Sequence, residues 1–255
     1  MMQPRLTGDE LLDALEAGTV RAAEPQADGS WRVEPWVKEG ILDLFRASPV
    51  VPMGVFRDKA AFPTRTFDDS SGVRLVPGGS AVRRGSHLGS GVVCMPPMYV
   101  NVGAFVGEGS MIDSHALVGS CAQVGRDVHL SAAAQLGGVL EPAGARPVIV
   151  EDGAFVGAGV LGLEGVRVQR RAVLAAGVSL AATTVLYDLV HETEIRGTRE
   201  NPLEVPADAV VVSGMRRTSG DFAERYGLSQ ACALIVKYRT ESTDAATALE
   251  EALRP

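Results

Sequence analysis

Residues 104–125 read AFVGEG SMIDSH ALVGSC AQVG, and the same six-residue frame runs on in both directions. Stepping by six gives Val82, Leu88, Cys94, Val100, Val106, Ile112, Val118, Val124, Leu130 and Leu136, all apolar. The position two residues earlier is mostly small, as at Ser86, Ala104, Ser110, Ala116, Ala122 and Ala134. The position one residue later is often a turn former: Gly89, Asn101, Gly107, Asp113, Gly119, Gly125 and Gly137. The frame breaks after Leu136 and resumes two residues out of phase as Val150, Val156, Gly162, Val168, Leu174, Leu180 and Leu186. Between the blocks, residues 139–147 (VLEPAGARP) read as a loop ejected from the coil.

A period of six fits neither a helix at 3.6 nor an alternating strand. It is the hexapeptide signature of a parallel β-helix, in which three hexads close one triangular coil. The aliphatic residue points into a narrow prism, and Gly and Asn are expected to supply special backbone angles at the corners. Seventeen hexad positions predict nearly six coils, roughly 27 Å of prism at about 4.8 Å per coil. The expected fold is mainly β: a left-handed parallel β-helix over residues 80–187, a small α/β N-terminal domain with connector over 1–79, and a short C-terminal β/α extension over 188–255.

Composition agrees with that frame. The 255 residues include 29 Gly but only 7 Phe, 4 Tyr and 2 Trp, so large rings cannot fill the core. Seventeen of those glycines fall within residues 82–186. The net charge of −7, from 24 basic and 31 acidic residues, argues against nucleic acid as the main partner. No apolar run has the length of a membrane span, and the N-terminus lacks a secretory pattern. Cys94, Cys121 and Cys232 give no disulfide framework or zinc spacing, so a reduced, cytoplasmic compartment is expected. Cys94 and Cys121 read as core.

Outside the prism, residues 9–17 and 36–46 have helical spacing, and residues 20–24 and 31–34 flank an Asp28-Gly29 turn, so a hairpin is expected. Residues 50–79 read as an irregular connector and 187–206 as a polar loop. Residues 209–213 and 232–238 read as strands and 243–253 as a final helix. Flat aliphatic prism sides favour a cyclic trimer with slots between subunits.

The motifs are more specific than the repeat. The runs Pro97–Ala104 (PMYVNVGA), Gly109–Asp113 (GSMID), Val118–Gly125 (VGSCAQVG), Asp127–Ser131 (DVHLS), Gly137–Pro142 (GGVLEP) and Val210–Gly214 (VVVSG) resemble tetrahydrodipicolinate N-succinyltransferases. The resemblance covers roughly residues 10–240. It implies succinyl transfer from succinyl-CoA to the amine of tetrahydrodipicolinate in lysine and diaminopimelate synthesis, by a homotrimer with sites between subunits and no metal.

Thioester aminolysis needs a group that takes or orients the amine proton and donors that stabilise the thioester oxygen. The resemblance places Asp113 at the acceptor amine as the catalytic carboxylate, with a plain corner Asp as the alternative. It places Asn101 and Glu164 near the acceptor, along with Gly159 and Leu161. Ser131, Ala132, Gly137, Gly138 and Ala158 are expected to open the backbone to coenzyme A, under a loop 139–147 that covers the cofactor slot. Arg216 and Arg217 either meet coenzyme A phosphates or form a solvated surface pair.

Three departures stand out. The family's Gly-Ala-Arg-Ser-Glu run reads Gly157-Ala158-Gly159-Val160-Leu161 here, losing an Arg and a Glu. A longer segment with another Arg, before Val51-Pro52-Met53, is missing, and the N-terminal helical region is shorter. Two alternatives therefore stay open. One is an acyltransferase with another donor, such as acetyl-CoA, or a less charged amine acceptor. The other is a trimeric scaffold without activity. His87 and His115 read either as bases or as structural imidazoles, and His129 as structural or near the cofactor. The spacings of the three histidines do not suggest a metal site.

Overall fold

The computed structural model describes residues 5–240 and Asp244; the expected helix at 243–253 otherwise lies outside these. Within them the hexads wind into a three-sided parallel β-helix of two-residue strands. Face A stacks Ala81–Val82, Tyr99–Val100, Leu117–Val118, Gln135–Leu136, Leu161–Gly162 and Ser179–Leu180. Face B stacks His87–Leu88, Phe105–Val106, Gln123–Val124, Ile149–Val150, Arg167–Val168 and Glu204–Val205. Face C stacks Arg74–Leu75, Val93–Cys94, Met111–Ile112, His129–Leu130, Phe155–Val156, Val173–Leu174 and Ala209–Arg217. The chain turns from A to B to C in each coil, so three edges, AB, BC and CA, run along the prism. In register, each inward residue sits on its counterpart eighteen residues away wherever the frame is unbroken, as Val106 does on Leu88 and Val124. The inward row is buried throughout and forms the main core.

The corners use two different glycine positions for two different reasons. The first corner residue follows the inward residue and packs against the next coil. A Cβ on Gly107 would stand 2.6 Å from the Gly125 carbonyl oxygen, so close packing excludes a side chain there. The special backbone angle lies two residues later. The third corner residue is left-handed at His115 (φ 63°), Asp127 (52°), Ala133 (59°), Gly159 (67°) and Arg171 (58°). Glycine takes this position at other corners, among them Gly85, Gly91, Gly103, Gly109, Gly153 and Gly177, but it is not obligatory, because a single left-handed residue costs only about 1–2 kcal/mol. The expectation that the first corner residue supplies the turn angle is therefore corrected.

Two further readings change. Residues 50–79 are not an irregular connector throughout: Val50–Met53 and Phe56–Lys59 form an antiparallel hairpin, and Arg74–Leu75 pairs with Val93–Cys94 on face C. Residues 187–206 are not one loop. Val185–Asp188 pairs with Thr193–Arg196, and Glu204–Val205 returns to face B above Arg167–Val168. Val205 thus takes the prism position that the hexad count gave to Leu186.

The N-terminal unit packs on face B. Helix α1 (Gly8–Glu16) buries Leu11, Leu12 and Leu15; helix α2 (Pro35–Ala47), opened by Pro35, buries Val37 and Ile41. These join Val102 and Cys121 of the prism in a second core, so Cys121 is core beneath the helices rather than inside the prism. At the other end Ala209–Arg217 and Ser229–Tyr238 pair in an antiparallel hairpin that extends face C, joined through helix α3 (Asp221–Arg225).

Candidate active site

The CA edge gathers one group of the predicted residues. Successive corners on it are Asp113-Ser114-His115, Ser131-Ala132-Ala133, Gly157-Ala158-Gly159 and Ala175-Ala176-Gly177. The ladder fixes their stacking, through Asp113 N–H to Leu130 O (2.9 Å), Ala133 N–H to Ser114 O (2.8 Å), Gly159 N–H to Ala132 O (2.9 Å) and Gly177 N–H to Ala158 O (2.9 Å). Asp113 is half-buried, and its Oδ1 accepts from Ser114 N–H at 2.7 Å. It forms no ion pair among the described residues, so its second oxygen is open to a ligand.

Above Asp113 the edge changes character. In each corner the first and third N–H groups bond to a neighbouring coil and the fourth bonds back to the carbonyl of the first, but the second does neither. The N–H groups of Ala132, Ala158 and Ala176 find no acceptor among the described residues, and their side chains are single methyls. The result is a column of donors roughly 4.8 Å apart, leading away from the carboxylate. Ala176 was not foreseen; equivalence to Ala132 and Ala158 in the resumed hexad frame could have pointed to it. Ser213 continues the line, with its hydroxyl 3.4 Å from Gly177 O. Arg216 and Arg217 lie three and four residues further, about 10 Å or more past the edge on the extended hairpin. Arg216 donates from Nη2 to Gln230 Oε1 at 2.6 Å, whereas Arg217 is exposed.

A second group lies on the AB edge, across face A. Asn101 Oδ1 accepts from Val102 N–H (2.8 Å), Arg83 Nη1 (3.3 Å) and Tyr99 OH (3.4 Å), so that amide oxygen is already shared three ways. Gly137, Gly138 and Glu164 share this edge, and Glu164 Oε2 accepts from Ala182 N–H at 3.2 Å. Loop 139–147 leaves here and is held against the N-terminal unit. Leu140 packs on the second core and Lys38 Nζ donates to Ala145 O, while Arg146 ties the end of the loop to the C-terminal segment by donating to Pro202 O at 2.6 Å. Within one chain the loop therefore lies beside the AB edge and not over the Asp113 column. Gly138, Val139, Glu141, Arg146, Glu164 and Arg199 border a cleft of about 400 Å³ there.

Face A connects the two groups. Leu161 points outward from it, 36% exposed, beside Gln135. At Gly159 a Cβ would meet nothing within 4 Å, so this corner presents open space where a side chain could stand.

The histidines separate. His87 is under the N-terminal unit, its Nδ1 2.8 Å from Glu16 O and its ring stacked 4.5 Å from Phe105, and burial lowers its pKa. His129 stacks on Phe155 on face C at 5.1 Å. His115 is exposed on the CA edge, two residues from Asp113. No group of three metal-ligating side chains occurs among the described residues, and no helix among them is long and apolar enough to cross a membrane.

A sequence profile described as tetrahydrodipicolinate N-succinyltransferase N-terminal matches residues 5–47. Three relatives carry the name 2,3,4,5-tetrahydropyridine-2,6-dicarboxylate N-succinyltransferase. That of Polynucleobacter asymbioticus is 44% identical, covering 96% of this chain and 87% of its own. That of Nitrobacter hamburgensis is 42% identical over 96% and 88%, and that of Xylella fastidiosa 41% over 98% and 88%. A solved Campylobacter jejuni structure, titled a putative 2,3,4,5-tetrahydropyridine-2-carboxylate N-succinyltransferase, superposes with a TM-score of 0.49 at 17% identity. That match covers 90% of this chain and 63% of the other.

Proposed function

The chain belongs to the tetrahydrodipicolinate N-succinyltransferase family, and from that premise we propose that it transfers the succinyl group of succinyl-CoA to the amine of tetrahydrodipicolinate. The observation that carries this is 41–44% identity to enzymes of that name over nearly the whole chain. The CA edge supplies groups suited to each step. Asp113 orients the acceptor amine and takes its proton as the nitrogen attacks the thioester carbon. A backbone N–H such as that of Ala132 donates to the carbonyl oxygen as it turns negative. The C–S bond then breaks, and coenzyme A leaves as the thiol once it regains a proton. The column through Ala158 and Ala176 can hold the amides of the extended cofactor arm, with Arg216 or Arg217 toward its phosphates.

We read the working form as a homotrimer. Face B is covered by the N-terminal unit, but Val93 and Met111 on face C and Tyr99, Leu117 and Leu161 on face A remain at least partly exposed beside the CA edge. A neighbouring copy packed there would bring its own AB edge, with Gly137, Gly138 and loop 139–147, across the slot. The chemistry needs no metal, and a reduced cytoplasmic setting suits both donor and thiols.

Release of coenzyme A thiol from succinyl-CoA on adding tetrahydrodipicolinate tests the reading. Acceptor-dependent release is expected. Absence of release with both substrates saturating would overturn it. A second reading, a less charged acceptor, is favoured by apolar, exposed Leu161 and by the side-chain-free Gly159. If that reading holds, the combined Gly159→Arg and Leu161→Glu variant gains activity on tetrahydrodipicolinate; a loss speaks for the unaltered acceptor.

A further inference from the structure

A cleft of about 730 Å³, a size suited to a small ligand, lies between the N-terminal hairpin and face B, away from the CA edge. Arg21 forms its inner wall. The guanidinium carbon lies 3.7 Å from the Phe105 ring centroid and 5.4 Å from that of Trp31. Nε donates to Gln123 Oε1 at 2.9 Å, and the buried Gln123 is itself fixed by donating Nε2 to Cys121 O at 2.8 Å. Arg21 has no salt bridge among the described residues, and its Nη–H groups find no acceptor there. Burial pulls this guanidinium down to about 10, against the pull of Glu24 and Asp152. A desolvated cation held rigidly, with donors unused, is a site prepared for an anion.

The rest of the lining supports that sign. Four arginines, Arg21, Arg126, Arg167 and Arg170, face two carboxylates, Glu151 and Asp152, in a chain of net charge −7. Glu151 is consumed: it accepts from Trp31 Nε1 (2.8 Å), Arg167 Nε (2.8 Å) and Arg170 N–H (3.0 Å). Arg167 is spent on Glu151, Glu204 and Gly29 O. Arg126 and Arg170 are exposed at the rim, Arg126 with a loose 3.9 Å pair to Glu108. Asp152, also exposed, opposes an anion but is outnumbered by Arg21, Arg126 and Arg170.

We propose that this cleft is a second binding site, distinct from the transfer site, for a small oxyanion borne by a phosphate or a polycarboxylate. The oxyanion sits on the Nη groups of Arg21, and Arg126 and Arg170 close over it from the BC edge. Trp31 stands in the wall and reports occupancy.

The test titrates the full chain with inorganic phosphate and with citrate, following tryptophan fluorescence and calorimetry. Saturable binding of at least one is expected, and the tighter probe identifies the headgroup class. Trp31→Phe should remove the optical change while calorimetric binding persists. Arg21→Gln should weaken binding about tenfold or more, as should the Arg126→Ser/Arg170→Ser pair, whose exposed side chains leave folding intact. The KM for succinyl-CoA should be unchanged in that pair. No saturable binding of either probe overturns the proposal, as does unaltered affinity in the pair or a parallel rise in the KM for succinyl-CoA.

Discussion

The BC and CA edges are made by the same six-residue repeat, yet they differ in what stands at the second corner position: charged side chains on one, single methyls along most of the other. On the BC edge the second corner residues include Glu108, Arg126, Asp152 and Arg170. Two of their N–H groups are taken by neighbouring carboxylates: Arg126 N–H donates to Asp152 Oδ1 at 2.8 Å and Arg170 N–H to Glu151 Oε2 at 3.0 Å. On the CA edge Ser114 N–H is taken by Asp113 Oδ1, but the equivalent residues above it are Ala132, Ala158 and Ala176, and their N–H groups are left to a ligand. The repeat therefore dictates where a corner N–H points. One side chain per corner then decides whether that N–H is consumed by the protein or offered outward.

Four changes put this contrast at risk. The largest effect is expected from Asp113→Asn, which should lower kcat by about a hundredfold or more, the usual scale for a lost proton acceptor. Asp127→Asn on the BC edge should leave kcat as it is. Equal losses in steady-state assays would show that the edges do not differ in chemistry. Next, Gly107→Ala should destabilise by about 1–3 kcal/mol in urea unfolding, because the added methyl meets the backbone of the next coil. A stability equal to the parent would mean that the coils can separate there at no cost. Third, Ala158→Asp should make the CA edge resemble the BC edge, capping the free N–H groups and raising the KM for succinyl-CoA about tenfold. An unchanged KM removes the donor column from the cofactor slot. The smallest effect belongs to Gly159→Ala, about 1 kcal/mol from the left-handed backbone alone, since space around it is open. A loss as large as that of Gly107→Ala in the same unfolding assay would erase the distinction between the two corner positions.

Much of this was legible in the residues. The hexads located every inward residue from Val82 to Leu180, because a prism one side chain wide accepts only one residue type at one spacing. They failed at Leu186, where the pattern continues in letters but the chain leaves the coil and Val205 returns to fill the position. Short strands such as Val50–Met53 and Thr193–Arg196 carry no period long enough to read, and pairing decides them. Asp113, Ser131, Ala132, Ala158 and Gly159 could be named from motifs, but not that they share an edge while Asn101, Gly137 and Glu164 share another. Motif reading assigns roles residue by residue, and only the stacked coils show which of those residues stand side by side and which lie across face A. The Arg21 cleft left no trace at all, since its parts come from residues 21 to 207.

By itself, the sequence determined the parallel β-helix, its approximate length and its family, since those follow from local spacing repeated many times and from contiguous motifs. The tertiary structure alone decided which corner N–H groups are free, which glycines are sterically required, and that the half-buried Arg21 has no carboxylate in ion-pair contact among the described residues. These depend on atoms eighteen or more residues apart meeting within a few ångströms, and no single stretch of chain records such a meeting.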